Sequence, residues 1–234
     1  PVATPAAAQA PATPEARRAI EQIVRDYILA NPEIIMEAVA RLREKKQVAE
    51  EDADRQPVAD SRDEILKDPN SHGGGTPAGA VHVVDFFDYR CGVCKQFHPI
   101  VAELVQSDPK IRRVYKEWPI LGPESVVASR AAIASLKQGK YLAFHKAMME
   151  TRTPLDETRI IDIAASVGLD TARLRKDMAA PDFEKVIARN SALAGKLRLN
   201  GTPSFLIGDK ILRGGRDLDT LRALVAEARA KKLP

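Results

Sequence analysis

A run of β-favouring residues, Val81 to Phe87, is followed four residues later by Cys91-Gly92-Val93-Cys94 and then by a helical pattern. The run reads as a buried strand, and both cysteines fall where the next helix begins. They are the only cysteines in the chain. At a helix start the first sulfur meets unpaired backbone N–H groups and the positive end of the helix dipole, which favour thiolate over thiol. Cys91 is therefore the candidate nucleophile. Cys94 lies one turn on, within reach of a mixed disulfide formed at Cys91, so it is the candidate resolving thiol. Gly92 and Val93 complete the redox motif. Two other uses of such a pair are weaker. Tetrahedral zinc needs four ligands, whereas there is no second cysteine pair and His72, His82, His98 and His145 lack paired spacing. A structural disulfide closing so short a loop removes little chain entropy. No metal site and no cofactor are expected.

Around this centre the chain has room for a full core and a second small module, with 234 residues and 44% hydrophobic content. The formal net charge of +4 comes from interspersed charges, with no stripe of Lys and Arg alternating with aromatics. Nucleic-acid binding is not suggested. Residues 1–14 are alanine, proline, threonine, valine and one glutamine, uncharged until Glu15; they read as a disordered leader left after signal removal, and export is the expectation. No run is long and apolar enough to span a bilayer.

Residues 15–54 have helical periodicity, with Ile20, Ile23, Val24, Tyr27 and Ile28 on one face and Ile34, Ile35, Ala38, Val39 and Leu42 on the next. Asn31-Pro32-Glu33 divides them, with Asn31 expected to cap the second helix. The apolar stripe either packs against its own domain or joins copies of the chain as an oligomerisation segment. Residues 55–80 shift to Pro, Asp, Ser and Gly and read as linker and domain entry, with Ile65-Leu66 as a short edge strand. The catalytic domain is expected over 81–234: strand, cysteine-bearing helix kinked at Pro99, a parallel strand at Ile111 to Glu117, a helical insertion over about 123–199, a hairpin turning at Gly208-Asp209, and a closing helix from Leu218 to Ala230.

Asp85-Phe86-Phe87-Asp88-Tyr89-x-Cys91-Gly92-x-Cys94-Lys95, the helical insertion, Gly201-Thr202-Pro203-Ser204-Phe205 and the terminal helix together resemble the DsbA-like branch of the thioredoxin superfamily. The segment from Ile20 to Glu33 narrows the likeness to its suppressor-of-copper-sensitivity group, the ScsC proteins. The resemblance implies an α/β thioredoxin-like fold with a helical insertion, preceded by the helical oligomerisation segment. It implies that Pro203 is a cis-proline beside the cysteines, that the Thr202 backbone offers hydrogen bonds to an extended substrate, and that Asp85 is a buried acid accepting the Cys94 proton. Pro203 as an ordinary strand-start proline and Asp85 as a partly solvated strand-end residue are the alternatives.

The intervening Gly92-Val93 has no histidine to stabilise a thiolate, while Arg90 and Lys95 flank the pair and either help it or point to solvent. With Thr202-Pro203, this looks more like a disulfide isomerase than a strong oxidase. The expectation is a periplasmic thiol–disulfide isomerase or reductase acting on misfolded or wrongly oxidised clients, kept reduced by a membrane thiol donor. It is expected to be a homo-oligomer, with trimer favoured by the resemblance. The alternatives are a monomeric dithiol oxidase and a protein that sequesters Cu(I) on soft thiolates.

Overall fold

The structure, a computed structural model, describes residues 13–68, 72–75, 81–180, 182–231 and 233. Residues 1–12 of the expected leader and residues 69–71 and 76–80 of the expected linker lie outside the described residues. The chain divides into two units, Pro1–Glu50 and Glu51–Pro234. In the first, α1 (Pro14–Ala30) opens on Thr13, whose hydroxyl accepts from the Ala16 N–H, with Pro14 in the first turn. Asn31 does not cap the following helix. Its side-chain amide donates to Tyr27 O at 2.9 Å and so closes the C-terminus of α1, because an Asn between two helices can serve whichever end leaves a carbonyl open. No residue of α1 is buried, so its apolar face is open within this unit.

The boundary between the units falls inside α2 (Glu33–Asp60). This helix runs six residues past Asp54, through Pro57, where composition suggested linker. Proline has no N–H for the carbonyl four residues back; here the Arg198 guanidinium donates to that carbonyl, Ala53 O. Asp54 is buried and receives Arg213 through both guanidinium nitrogens, at 2.8 and 3.0 Å, and Arg198 at 3.3 Å. Residues 62–66 form a short helix, α3 (Arg62–Leu66), rather than an edge strand. Ile65 is buried there against Val84, Val114 and Leu206, and burying one side chain from a polar segment needs only one helical turn.

The second unit is built on five strands in the order β1-β3-β2-β4-β5. Their ranges are β1 (Gly73–Gly75), β2 (Val81–Phe87), β3 (Ile111–Glu117), β4 (Ser204–Ile207) and β5 (Lys210–Arg213). β2 and β3 are parallel, joined by α4 (Gly92–Ser107), which continues through Pro99. The other pairings are antiparallel. β4 and β5 make the expected hairpin at Gly208-Asp209, and Gly208 takes a φ of 62° with no room for a Cβ, which would lie 2.8 Å from Ala228 Cβ. One edge strand is the triglycine Gly73–Gly75.

Side-chain alternation divides the central strands between two cores. Val81 and Val83 pack with Ile111, Phe205 and Ile207 against α4 and α10 (Leu218–Ala230). Val84 and Phe86 pack with Val114, Trp118 and Leu206 against α3 and α9 (Asp182–Lys196). The insertion supplies α5 (Pro123–Ser135), α6 (Tyr141–Glu150), α7 (Glu157–Ser166), α8 (Thr171–Met178) and α9. Its first four helices bury Ala128, Phe144, Met148, Ile160 and Leu174 in a third core that reaches Phe87, Tyr89 and both cysteines. The active-site end of β2 is thus capped by a helical lobe. Removing the carboxylate that receives Arg213 and Arg198 takes a buried, charge-assisted partner from two guanidinium groups. Asp54→Ala should therefore lower unfolding free energy by about 2–3 kcal/mol, read as the midpoint shift in urea, with Asp54→Asn less affected.

Candidate active site

Cys91 is the N-cap of α4, with extended backbone, and its Sγ accepts the Cys94 N–H at 3.1 Å. The turn before it is held by the Cys91 N–H on Asp88 O at 3.1 Å. Opposite, the Thr202–Pro203 peptide is cis, as the resemblance implied, and the Cys91 thiol donates to Thr202 O at 3.3 Å. Both cysteines are free thiols and buried. Gly92 has open space where a Cβ would stand, and Val93 is 47% exposed, so neither side chain shapes the sulfur's surroundings.

The two sulfurs differ because of where they lie on the helix. The Cys94 thiol donates to the Cys91 sulfur, and the Thr202 side chain and the N–H groups of Cys94 and Val93 add to it. Together they outweigh burial and bring the Cys91 thiol down to about 6. Cys94 is pushed far up, first by burial and then by the hydrogen bond it gives to Cys91, so it stays a thiol. The arrangement supplies a thiolate at neutral pH with a protonated thiol behind it.

Asp85 is buried at 2% exposure, so the solvated alternative does not hold. Its place follows from parity: Asp85 shares the α4-facing side of β2 with Val83 and Phe87, flanked in register by Tyr115 and Phe205. Burial raises its carboxyl, opposed by the charge and hydrogen bond of Arg113, which is paired with Asp85 Oδ2. Asp85, Arg113, Cys94, His98 and Pro203 line one small cavity. Arg113 and His98 were not singled out from sequence. Their signals were an arginine on the inward face of a buried strand, between Ile111 and Tyr115, and a histidine four residues after Cys94 on the same helix.

Asp88 is a third residue that sequence reading passed over. Fully buried, it accepts the N–H groups of Arg90, Ile120 and Leu121 and the Ser125 hydroxyl, at 2.8–2.9 Å. It thereby ties the active-site turn to the start of α5. The flanking cations turn away from the sulfur. Arg90 donates to Leu121 O and Glu124, and Lys95 is buried with its ammonium on Met148 O and Thr151 O. Burial, with the nearby Arg152 charge, lowers the Lys95 ammonium to about 8. Thiolate stabilisation at Cys91 therefore comes from the Cys94 thiol, Thr202 and the helix start. Alkylation of the reduced protein by iodoacetamide should occur at Cys91 and not Cys94, its rate rising with pH through about 6 and then levelling. Thr202→Val should move that midpoint upward.

Two family profiles match the chain. The DSBA-like thioredoxin domain covers residues 82–226, and the copper resistance protein ScsC N-terminal domain covers residues 17–49. Among solved structures, a thioredoxin-like oxidoreductase from Silicibacter pomeroyi is 47% identical, covering 72% of this chain and 98% of that one at a TM-score of 0.70. ScsC of Proteus mirabilis in a transitional conformation is 32% identical, covering 96% of this chain and all of that one at a TM-score of 0.69. The Na(+)/H(+) antiporter NhaA 3 of Salinispora tropica is 28% identical over 164 residues, which is 69% of this chain and 25% of the antiporter. The chain thus spans about a quarter of the length of the first curated relatives it matches. The first profile extends over more than half of the chain and takes in the cysteine pair and the cis-proline together, so the chain belongs to the DSBA-like thioredoxin-domain family, with N-terminal helices of the ScsC kind.

Proposed function

We propose that the protein is an exported, periplasmic thiol–disulfide oxidoreductase that works as an oligomeric isomerase or reductase on misfolded, disulfide-containing clients. The observation that carries its chemistry is the cysteine asymmetry: a Cys91 thiol brought down to about 6 beside a Cys94 thiol held protonated. Cys91 thiolate attacks a client disulfide, one client sulfur leaves, and a mixed disulfide forms. Either a second client thiol displaces Cys91, which rearranges the client, or Cys94 displaces the client, which reduces it. Asp85 accepts the Cys94 proton in the second case. The Thr202 backbone beside Pro203 pairs with an extended client segment next to the sulfur. A membrane thiol donor returns the Cys91–Cys94 disulfide to the dithiol.

The isomerase reading draws on the first helices. Ile20, Ile23, Val24 and Tyr27 follow i, i+3, i+4, i+7 spacing on α1 and are 50–67% exposed; Ile35, Val39 and Leu42 continue on α2 at 36–54%. Apolar stripes of this kind bury themselves against copies of the same chain. A trimer places several Cys91 thiolates around one client and raises their effective concentration. A relative supports the setting, a periplasmic thioredoxin-like protein from Salmonella enterica. One observation favours a second reading, a dithiol oxidase: stabilising the Cys91 thiolate also stabilises the reduced pair and makes the disulfide more oxidising. Capture of Cu(I) by the reduced pair is a side property of soft thiolates.

The full chain carrying Ile20→Asp, Ile23→Asp and Tyr27→Asp separates the two. Light scattering should give an oligomer for the wild type and a monomer for the variant. Recovery of a scrambled multi-disulfide substrate should fall at least about tenfold in the variant, while alkylation of Cys91 is unchanged. Isomerisation retained by a monomeric variant would remove the assembly from the mechanism, and a monomeric wild type that oxidises dithiols would establish the oxidase.

A further inference from the structure

His98 lies four residues after Cys94 on α4, on the same face of the helix. It is buried, and it shares with Cys94, Asp85, Arg113 and Pro203 a cavity with room for about one water molecule. Three polar atoms of these residues are buried without a hydrogen-bond partner among the described residues: Asp85 Oδ1, Arg113 Nε and His98 Nδ1. Each such atom costs about 1–3 kcal/mol of desolvation. Three around one cavity beside a reacting thiol mark a place where hydrogen bonds change during the reaction.

A line of groups leads from His98 away from the cavity. Its ring lies 5.2 Å, centroid to centroid, from that of His145, whose Nε2 also lacks a partner among the described residues. His145 Nδ1 is 2.9 Å from the Tyr89 hydroxyl, which donates to Glu117 Oε1 at 3.0 Å. Tyr141 donates to the same oxygen at 2.8 Å. The tautomer of His145 decides whether its Nδ1 gives or takes the hydrogen shared with Tyr89. Three titratable side chains thus run from the cavity to the Glu117 carboxyl, all of them buried.

We propose that His98 hands a proton to Cys94 from the buried chain of Glu117, Tyr89 and His145. The inference rests on the reading of Cys91 and Cys94 as attacking and resolving thiols. When an incoming thiolate attacks Cys91 Sγ, the Cys91–Cys94 bond breaks, its electron pair leaves on Cys94, and the new S–S bond joins Cys91 to the attacker. Cys94 takes a proton handed along from Glu117, which becomes a carboxylate. In the resolving step Asp85 takes the Cys94 proton as above, Cys94 attacks Cys91, the client sulfur leaves with the electron pair and is protonated by solvent, and Glu117 regains its proton from solvent between turnovers.

The local charges fit these roles. Burial brings His98 down to about 4, helped by Arg113 of β3 and Lys146 of α6 and opposed by Glu150 of α6, so the ring is neutral. Asp85 of β2 faces the same cavity. Burial lifts Glu117 to about 8 against hydrogen bonds from Tyr141, Ser129 and Tyr89, with Asp88 raising it further. Glu117 therefore holds a proton at neutral pH and loses it above about 8.

The test is stopped-flow reduction of the oxidised full-length protein by dithiothreitol from pH 5 to 10, each rate divided by the thiolate concentration. The wild-type rate should fall as pH rises through about 8. That titration should vanish in Glu117→Gln, and His98→Phe should open at least about tenfold more slowly at pH 7, with His98→Gln recovering part of the rate. A Glu117→Gln profile that keeps the wild-type titration, or a His98→Phe rate equal to wild type, overturns the relay. Trapping with Cys94→Ala separates the two ideas: no mixed disulfide at Cys91 would remove the thiol assignment itself, whereas trapping at Cys91 with unaltered pH profiles removes the relay alone.

Discussion

The whole centre depends on one turn of helix, which sets both the Cys94 thiol and the Cys94 N–H, the latter at 3.1 Å, against the Cys91 sulfur. A helix start leaves backbone donors open, and here a sulfur closes them in place of the usual oxygen. The same turn of helix that exposes donors to Cys91 carries Cys94 into the interior, where burial dominates. One local geometry therefore drives the two thiols apart in acidity, which a nucleophile and its resolving partner require. Asp88 and the Thr202–Pro203 loop fix the sulfur from either side, the first through the active-site turn and the second through Thr202 O.

Behind the cysteines the protein buries far more polarity than stability calls for. Asp85, Arg113, Glu117, His98 and His145 are each at most 6% exposed, and ion pairs or carboxyls in such places contribute little or nothing net compared with apolar groups of the same shape. They are not scattered. All five lie at or near the end of β2 where α4 and α6 meet the sheet, with Phe87, Tyr115 and Met149 closing the spaces between them. A polar layer concentrated next to a reacting thiol is consistent with proton handling rather than with folding.

What was legible in the sequence was whatever local periodicity determines. The strand at Val81 to Phe87, the cysteine-bearing helix, the parallel strand, the helical insertion and the hairpin at Gly208 all stand where pattern and turn residues put them. What was illegible depended on contacts made far along the chain. Pro57 reads as a helix breaker, yet α2 passes through it with Arg198, more than a hundred residues later, on the carbonyl the proline leaves open. A triglycine has no strand signal, but Gly73 to Gly75 pair with Arg112 to Val114 because the edge of β3 offers them partners. Arg113 was legible in principle. Its parity with Ile111 and Tyr115 places it inward, and an inward arginine demands a buried carboxylate, which Asp85 alone on that face of β2 supplies.

The first helices pose a different physical problem. A 17-residue helix with no buried residue gains little from packing within its unit, and surface pairs such as Arg17–Glu21 add only a few tenths of a kcal/mol. Isolated helices of this length are marginal in water. If the stripe from Ile20 to Leu42 is covered by copies of the chain, helix formation and assembly are one equilibrium, and these helices order only at concentrations where copies meet. Isomerisation would then depend on protein concentration more steeply than the chemistry at Cys91, since a single site suffices for thiol exchange while rearranging a client draws on several.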